Sequence, residues 1–389
     1  MKTWFLTLAI LSGTLTAHGQ DIPFVYETEN SGAGTPAPVI YPFDQLPEIK
    51  ALTNPLEWSD RSGVVKKFSD WERRRNEIAY EIQHYEIGTK PAVEKQQIKA
   101  HMSGDTLFVD VTVKDSTLTL WSVIKYPSTG KAPYALMIGS SHISLPDTIF
   151  AGRAIARMDY HERQVNGYSQ FRGDPDKSHY GFVHLYPELI DNGAYSEWAW
   201  GFSRLIDGLQ LLGPEVTKID TRRIGVTGCS YAGKMALFCG AFDERVALTI
   251  AQEPGGGGCA AWRVSHTMEG VEDLDKTDYH WFKESLREQF HGDSVYRLPY
   301  DHHELVAMVC PRAFLMLGNT DYKWLADGSA KVSLEAARRV WEQFGIADRF
   351  AFSINGNHPH CQLPEEQWGI VQEYIDKFLI KGTKQQRTK

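Results

Sequence analysis

Cysteine is scarce in this chain: five residues in 389, at positions 229, 239, 259, 310 and 361. That is too few for a disulfide scaffold, and an odd count leaves one unpaired within a monomer. A basic excess is missing too. Lys and Arg number 41 against 49 Asp and Glu, for a net charge of -8. Neutralising phosphates needs the opposite balance, so nucleic acid is excluded as a partner. Metal-ligand spacings are absent: there is no H-x-x-E-H and no paired Cys/His set, so neither a metal nor another cofactor is implied. No internal repeat, low-complexity run or second core interrupts the chain.

What is present is an ordinary globular composition, 42% hydrophobic and 23% charged. Aromatic residues reach 12%, with 11 Trp. They fill a core or form sugar-stacking surfaces, and composition does not choose. The N-terminus, Met1-Lys-Thr-Trp-Phe-Leu-Thr-Leu-Ala-Ile-Leu-Ser-Gly13 and onward, joins a basic residue to an apolar run and a small-x-small end. It reads as a secretory signal over residues 1–19, cleaved after Gly19. The run is broken by Gly and Thr and too short to span a bilayer comfortably, so no membrane insertion follows cleavage. No cysteine follows it to carry a lipid. The expectation is export, to periplasm or exterior, where disulfides persist.

Residues 20–55 are rich in Gly, Pro, Ser and Asn and read as an extended lead-in. A helix is predicted over Phe68–Tyr80, capped by Ser69 or Asp70. Alternation in Thr106–Val113 and Ser116–Ile124, across Lys114-Asp115, predicts an antiparallel hairpin. Beyond it the pattern changes to short unbroken apolar runs, at 134–138, 224–226, 248–251, 314–317 and 350–354. Amphipathic segments such as Glu197–Leu211 and Ser333–Phe344 lie between them. Buried strands alternating with helices predict an α/β fold: a mostly parallel sheet covered on both faces, the hairpin its antiparallel edge. Residues 56–383 are expected to form one such domain.

Chemistry concentrates at the strand ends. Gly228-Cys-Ser-Tyr-Ala232 sits between a strand-like run and a helix-like one, the setting of a nucleophile elbow, where the usual pattern is G-x-S-x-G. Alone it is a weak motif. Serine needs a base, and the base a carboxylate to hold its tautomer. Later runs end at Glu253, at Asp321, and at Asn355-Gly-Asn-His358-Pro-His360-Cys361. In an α/β-hydrolase the order is Ser, acid, His. Each group singly is as readily a surface group or helix cap. In that order at successive strand ends they make a constellation.

The elbow, Gly228-Cys-Ser-Tyr-Ala-Gly-Lys234, resembles that of the glucuronoyl esterases, carbohydrate esterase family 15, whose pattern is G-C-S-R-x-G-K. That family places its acid in an E-S-G-x-G-G segment ending in W-R, and the corresponding text here is Glu253-Pro-Gly-Gly-Gly-Gly-Cys-Ala-Ala-Trp262-Arg263. Trp198–Asp207, Asp301-His-His-Glu-Leu305 before Pro311-Arg312, Trp324-Leu325 and His358-Pro-His-Cys361 continue the match, from about Trp71 to Lys377.

The resemblance implies an α/β-hydrolase with Ser230 as nucleophile, Glu253 as acid and His360 as base. Asp321 is the alternative acid and His358 the alternative base. Cys229 and Cys361 adjoin nucleophile and base, and the resemblance implies a disulfide between them; two reduced buried thiols are the alternative. Lys234 and Trp324 match family positions that contact the uronic ring. A first-turn lysine opposes the helix dipole, which a bound uronate would offset. The family carboxylate that binds sugar hydroxyls has no clean match, Asp278 being the nearest. The family arginine after the serine is Tyr231 here. Its backbone N–H still serves as one oxyanion donor, with the second from Gly139-Ser-Ser-His142. His302-His303 between Asp301 and Glu304 reads as structural. The implied activity is hydrolysis of uronic acid esters in plant polysaccharide through an acyl-enzyme. Acetyl-ester hydrolysis and an inactive carbohydrate-binding protein are the rival readings.

Overall fold

The computed structural model describes residues 22–381 except 31, 33, 169 and 171–175; the expected export signal lies outside the described residues. Every-second-residue burial builds the leading edge of the sheet from β1 (Ile98–Ser103), β2 (Thr106–Val113) and β3 (Ser116–Lys125), each antiparallel to the next. The unbroken apolar runs become β4 (Tyr134–Ser140), β6 (Ile219–Cys229), β7 (Val246–Gln252), β8 (Ala313–Asn319) and β9 (Phe350–Asn355). Between β4 and β6 in the chain comes β5 (Ile155–Tyr160). The nine strands lie in the order β1-β2-β3-β5-β4-β6-β7-β8-β9, parallel from β5 onward.

Alternate side chains of the parallel strands feed two apolar layers. Leu136, Ile138, Phe314 and Met316 join Trp198 of α2 (Ala194–Leu212), Phe238 of α3 (Tyr231–Phe242) and Leu334 of α4 (Asp327–Gln343). On the opposite face Ala135, Met137, Leu315 and Leu317 meet Tyr374 and Ile375 of α5 (Glu365–Ile375). Both faces are thus covered, and the polar edge of the sheet at the strands' carboxyl ends is left to the loops. The sheet order reverses at β4, with β5 on one side and β6 on the other. A crevice outside the carboxyl ends at such a switch point is where open α/β sheets bind ligands.

The helix α1 (Phe68–Ile82) begins at the expected residue, but its N-cap is Lys67 in place of Ser69 or Asp70 and makes no side-chain cap bond. Packing sets this boundary. Phe68 and Trp71 both lie against Phe344, and the Trp71 indole donates to the Cys310 carbonyl at 3.0 Å, so the first turn winds before Ser69 and Asp70. The lead-in is pinned along its length. Tyr26 N–H donates to Glu244 O, Ile49 N–H to Tyr296 O, and Glu29 pairs with Arg204 and Lys90.

Candidate active site

Ser230 occupies the single turn between β6 and α3 with φ 61°, ψ -128°. A non-glycine residue at positive φ costs of order 1–3 kcal/mol and persists where its surroundings over-determine it. Here they do. A Cβ at Gly228 would come within 2.2 Å of Ser140 Oγ, and one at Gly233 within 2.3 Å of the Gln252 carbonyl. Only glycines let β6, β4 and β7 close on the turn. The Ser230 N–H donates to Gln252 O at 3.1 Å, and the residue stays partly exposed at the sheet's edge.

Glu253 follows β7, also at positive φ (45°), with its carboxylate buried. Its Oε2 lies 2.5 Å from His360 Nδ1, and both oxygens accept the Cys361 N–H at 3.2 Å. Asn319 Nδ2 is 3.4 Å from Oε2. His360 is a quarter exposed, its ring edge-on to Trp324 at 4.8 Å, its N–H donating to the Tyr322 hydroxyl at 3.0 Å. Cys229 and Cys361 are bonded, Cα to Cα 5.6 Å, which brings the residues after Cys229 and before Cys361 to one place. The two sulfurs approach the His360 ring, but their mutual bond removes them as metal ligands. The other cysteines, 239, 259 and 310, are buried and free.

The alternative acid and base make different contacts. Asp321 is exposed, and its Oδ2 accepts the backbone N–H of His358 at 3.1 Å rather than an imidazole. His358 is buried, with Nδ1 3.2 Å from Asn319 Nδ2 and 3.9 Å from Glu253 Oε1. Its Nε2 is enclosed without a hydrogen-bond partner among the described residues. Both contacts lie in or against the loop that carries His360.

The loop after β4 turns back on itself: Ser141 has φ 68°, and a Cβ at Gly139 would strike the His142 carbonyl carbon at 2.3 Å. Against it lies Tyr231, whose hydroxyl is 3.2 Å from Ser141 Oγ and 3.3 Å from Glu162 Oε1. Burial raises the Tyr231 phenol above its ordinary range, so it stays protonated and able to donate. Its ring runs nearly parallel to Trp281.

Lys234 is buried in the first turn of α3. Its Nζ is 3.0 Å from Glu272 Oε2 and 5.1 Å from the centre of the Trp281 ring. Glu272 was not legible in the sequence: it stands in a loop, at no diagnostic spacing from Lys234. Thr277 donates to its other oxygen at 2.8 Å, and its N–H donates to the Trp324 carbonyl at 3.0 Å. One residue therefore links the buried lysine to the exposed tryptophan, Trp324 being 41% exposed. Asp278 does not fill this position in the contacts observed. Its oxygens lie 2.6 and 2.7 Å from the Tyr168 hydroxyl, and it caps the short turn Tyr279–Trp281.

Below the site His302 bridges the Gly258 carbonyl (2.6 Å) and Glu86 (2.7 Å), and His303 reaches the Thr53 carbonyl at 2.8 Å. Asp301 accepts the N–H groups of Trp262 and Arg263. These side chains brace the glycine-rich turn after Glu253.

Sheet order, the strand–turn–helix at Ser230 and the sequence in which the three groups leave their strands place the chain among the α/β-hydrolases. A model of the fungal glucuronyl esterase family matches residues 109–345. The 4-O-methyl-glucuronoyl methylesterase of Neurospora crassa is 32% identical over 340 residues, 86% of this chain and 83% of that one. The glucuronoyl esterase catalytic domain from Hypocrea jecorina superposes with a TM-score of 0.79 at 31% identity, over 89% of this chain and 92% of that one. The glucuronoyl esterase of Sporotrichum thermophile, as a serine-to-alanine mutant in complex with methyl 4-O-methyl-β-D-glucopyranuronate, superposes with a TM-score of 0.78 at 31% identity, over 86% and 89%. The chain belongs to the glucuronyl esterase family.

Proposed function

We propose that the protein is an exported serine esterase that hydrolyses esters of glucuronic or 4-O-methyl-glucuronic acid in plant polysaccharide. The observation that carries this reading is the 2.5 Å contact of Glu253 with His360 Nδ1, on a histidine whose neighbour is covalently joined to the neighbour of Ser230. With the Nδ1 proton held by the carboxylate, Nε2 is the free base. It takes the Ser230 proton as Oγ attacks the ester carbonyl carbon. The oxyanion forms against the Tyr231 N–H and the loop after β4. Collapse expels the alcohol, which receives the proton from His360, and leaves a uronoyl ester on Ser230. A water molecule, deprotonated by His360, releases the acid in the same way.

Lys234, Glu272 and Trp324 supply a cation, an anion and an indole at one side of this constellation, groups suited to a hydroxylated ring. The relatives named as methylesterases and the neighbour holding a methyl glucuronate support the acyl group. Export is supported by the disulfide, which oxidising compartments preserve. Among the described residues no helix is long and apolar enough to cross a membrane.

The test is turnover of methyl and benzyl glucuronate beside acetyl esters. Uronate-ester hydrolysis that disappears in Ser230→Ala is the expected result. Turnover of acetyl esters alone, or binding with no turnover, overturns it.

A further inference from the structure

The outer face of the antiparallel edge carries two ring pairs in line across its strands. His101 on β1 pairs with Phe108 on β2, their rings stacked 4.9 Å apart and 5° from parallel. Phe108 pairs with Trp121 on β3. Beyond the last β3–β5 pair, Ile124 with Met158, the rings of Trp121 and His161 lie 4.7 Å apart. The row crosses three interstrand spacings, about 14 Å. Its inner counterparts are ordinary core: Val109 and Leu120 are buried, and Val109 closes on Gly208 of α2. Nothing in core packing calls for the outer rings, and Trp121 is 42% exposed.

The row is directed at the site. His161 precedes Glu162, whose Oε1 is 3.3 Å from the Tyr231 hydroxyl, one residue from Ser230. The short turn Glu162–Gln164 is bolted to β3, since the Gln164 side chain bonds both the N–H (2.8 Å) and the carbonyl (3.1 Å) of Trp121. Beside the rings runs a polar row, Lys99, Asp110 and Thr119, in register, with the Thr119 hydroxyl donating to Asp110 at 2.6 Å.

We infer that this face is a polysaccharide-binding platform, continuous with the active site, that takes the sugar main chain bearing the esterified uronic acid. A pyranose presents an apolar C–H face and a hydroxylated rim. The exposed Trp121 ring suits the first, and the charged and hydroxylated row beside it suits the second. A protein partner would call for a patch whose centre is depleted of charge, whereas Lys99 and Asp110 lie directly alongside. The identity of the polymer rests on the proposed esterase function, but the binding does not.

Two measurements separate them. In the first, Ser230→Ala protein, which cannot turn over, is run in native gels containing glucuronoxylan, with and without Trp121→Ala. Retardation by the polymer that falls about tenfold in apparent affinity on removing Trp121 is expected, a ring contact being worth up to about that factor; Trp121→Tyr should keep most of it. In the second, Trp121→Ala in the active enzyme should raise KM for a polymeric ester several-fold and leave kcat and KM for methyl glucuronate unchanged. Retardation indifferent to Trp121 overturns the platform. So does a concentration-dependent dimer that Trp121→Ala dissolves, which would make the face a contact between copies. Failure of the esterase reading alone would show as binding without turnover.

Discussion

Glu253 holds His360 twice over: Oε2 lies 2.5 Å from the ring Nδ1, and both oxygens accept the N–H of the next residue, Cys361. One buried carboxylate therefore fixes both the tautomer and the placement of the loop. Glu253→Ala should lower kcat on methyl glucuronate by roughly 10³–10⁴-fold. Asp321→Ala, which loses only a bond to the His358 backbone, should keep activity within a small factor. Steady-state kinetics of the pair decide it, and the reverse ranking would move the acid to Asp321.

Lys234 is buried against Glu272, so removing either leaves an uncompensated charge. Glu272→Ala should raise KM for methyl glucuronate by about 10- to 100-fold, the worth of a charge-assisted hydrogen bond. The effect on kcat should be smaller. A change confined to kcat would argue that the pair positions the elbow and does not hold the sugar.

Tyr231 stands where the resembling family keeps an arginine, and the buried Glu162 lies 3.3 Å from its hydroxyl. That carboxylate is placed to hold a guanidinium. Tyr231→Arg should raise kcat on methyl glucuronate, by up to about a hundredfold if the charge reaches the oxyanion. Adding Glu162→Gln should erase much of the gain. An unchanged or lower kcat in Tyr231→Arg would mean that tyrosine is suited to the ester this enzyme meets.

The Cys229–Cys361 bond joins residues 132 positions apart in the chain. Cys229→Ala with Cys361→Ala should lose about 2–5 kcal/mol of stability, read from urea unfolding. Turnover should fall as well, because the loop bearing His360 loses its tether to the elbow. Unaltered stability would show that packing alone holds these segments together.

Burial lifts the carboxyl of Glu197 from 4.5 to about 8, against a hydrogen bond from Asn166 Nδ2 that pulls it down. The folded state thus binds this proton more tightly than the unfolded chain. The stabilisation is complete below 4.5 and is lost as pH rises through about 8. Glu197→Gln, which keeps an acceptor for Asn166, should match the wild type near pH 5 and exceed its Tm near pH 8. A Tm difference independent of pH would refute the shift.

β4, β6, β7, β8 and β9 were legible because each holds a short apolar run, and the hairpin because Leu107, Val109, Val111 and Leu120 alternate with neighbours that face outward. β5 was not, since Arg157 and Asp159 face outward and dilute its signal. β1 carries only Ile98 fully inside. Among the site groups, Ser230, Glu253 and His360 end their strands or begin the loops beyond them, where order alone marks them. Glu272 depends on a contact 38 residues from Lys234 through an irregular loop, and no pattern records such a contact. The nearest match in sequence to the family carboxylate is Asp278, three residues before Trp281. The ring does stack over Lys234, but the carboxylate turns to Tyr168.

The cross-link at Cys229 also decides what a protease can do to this enzyme. A cut anywhere between the elbow and the last strand's loop would yield two fragments, one carrying Ser230 and the other His360. They would remain a single covalent species until a reductant reached the sulfurs. Nicked material would therefore migrate as intact protein on a non-reducing gel and split only after thiol treatment.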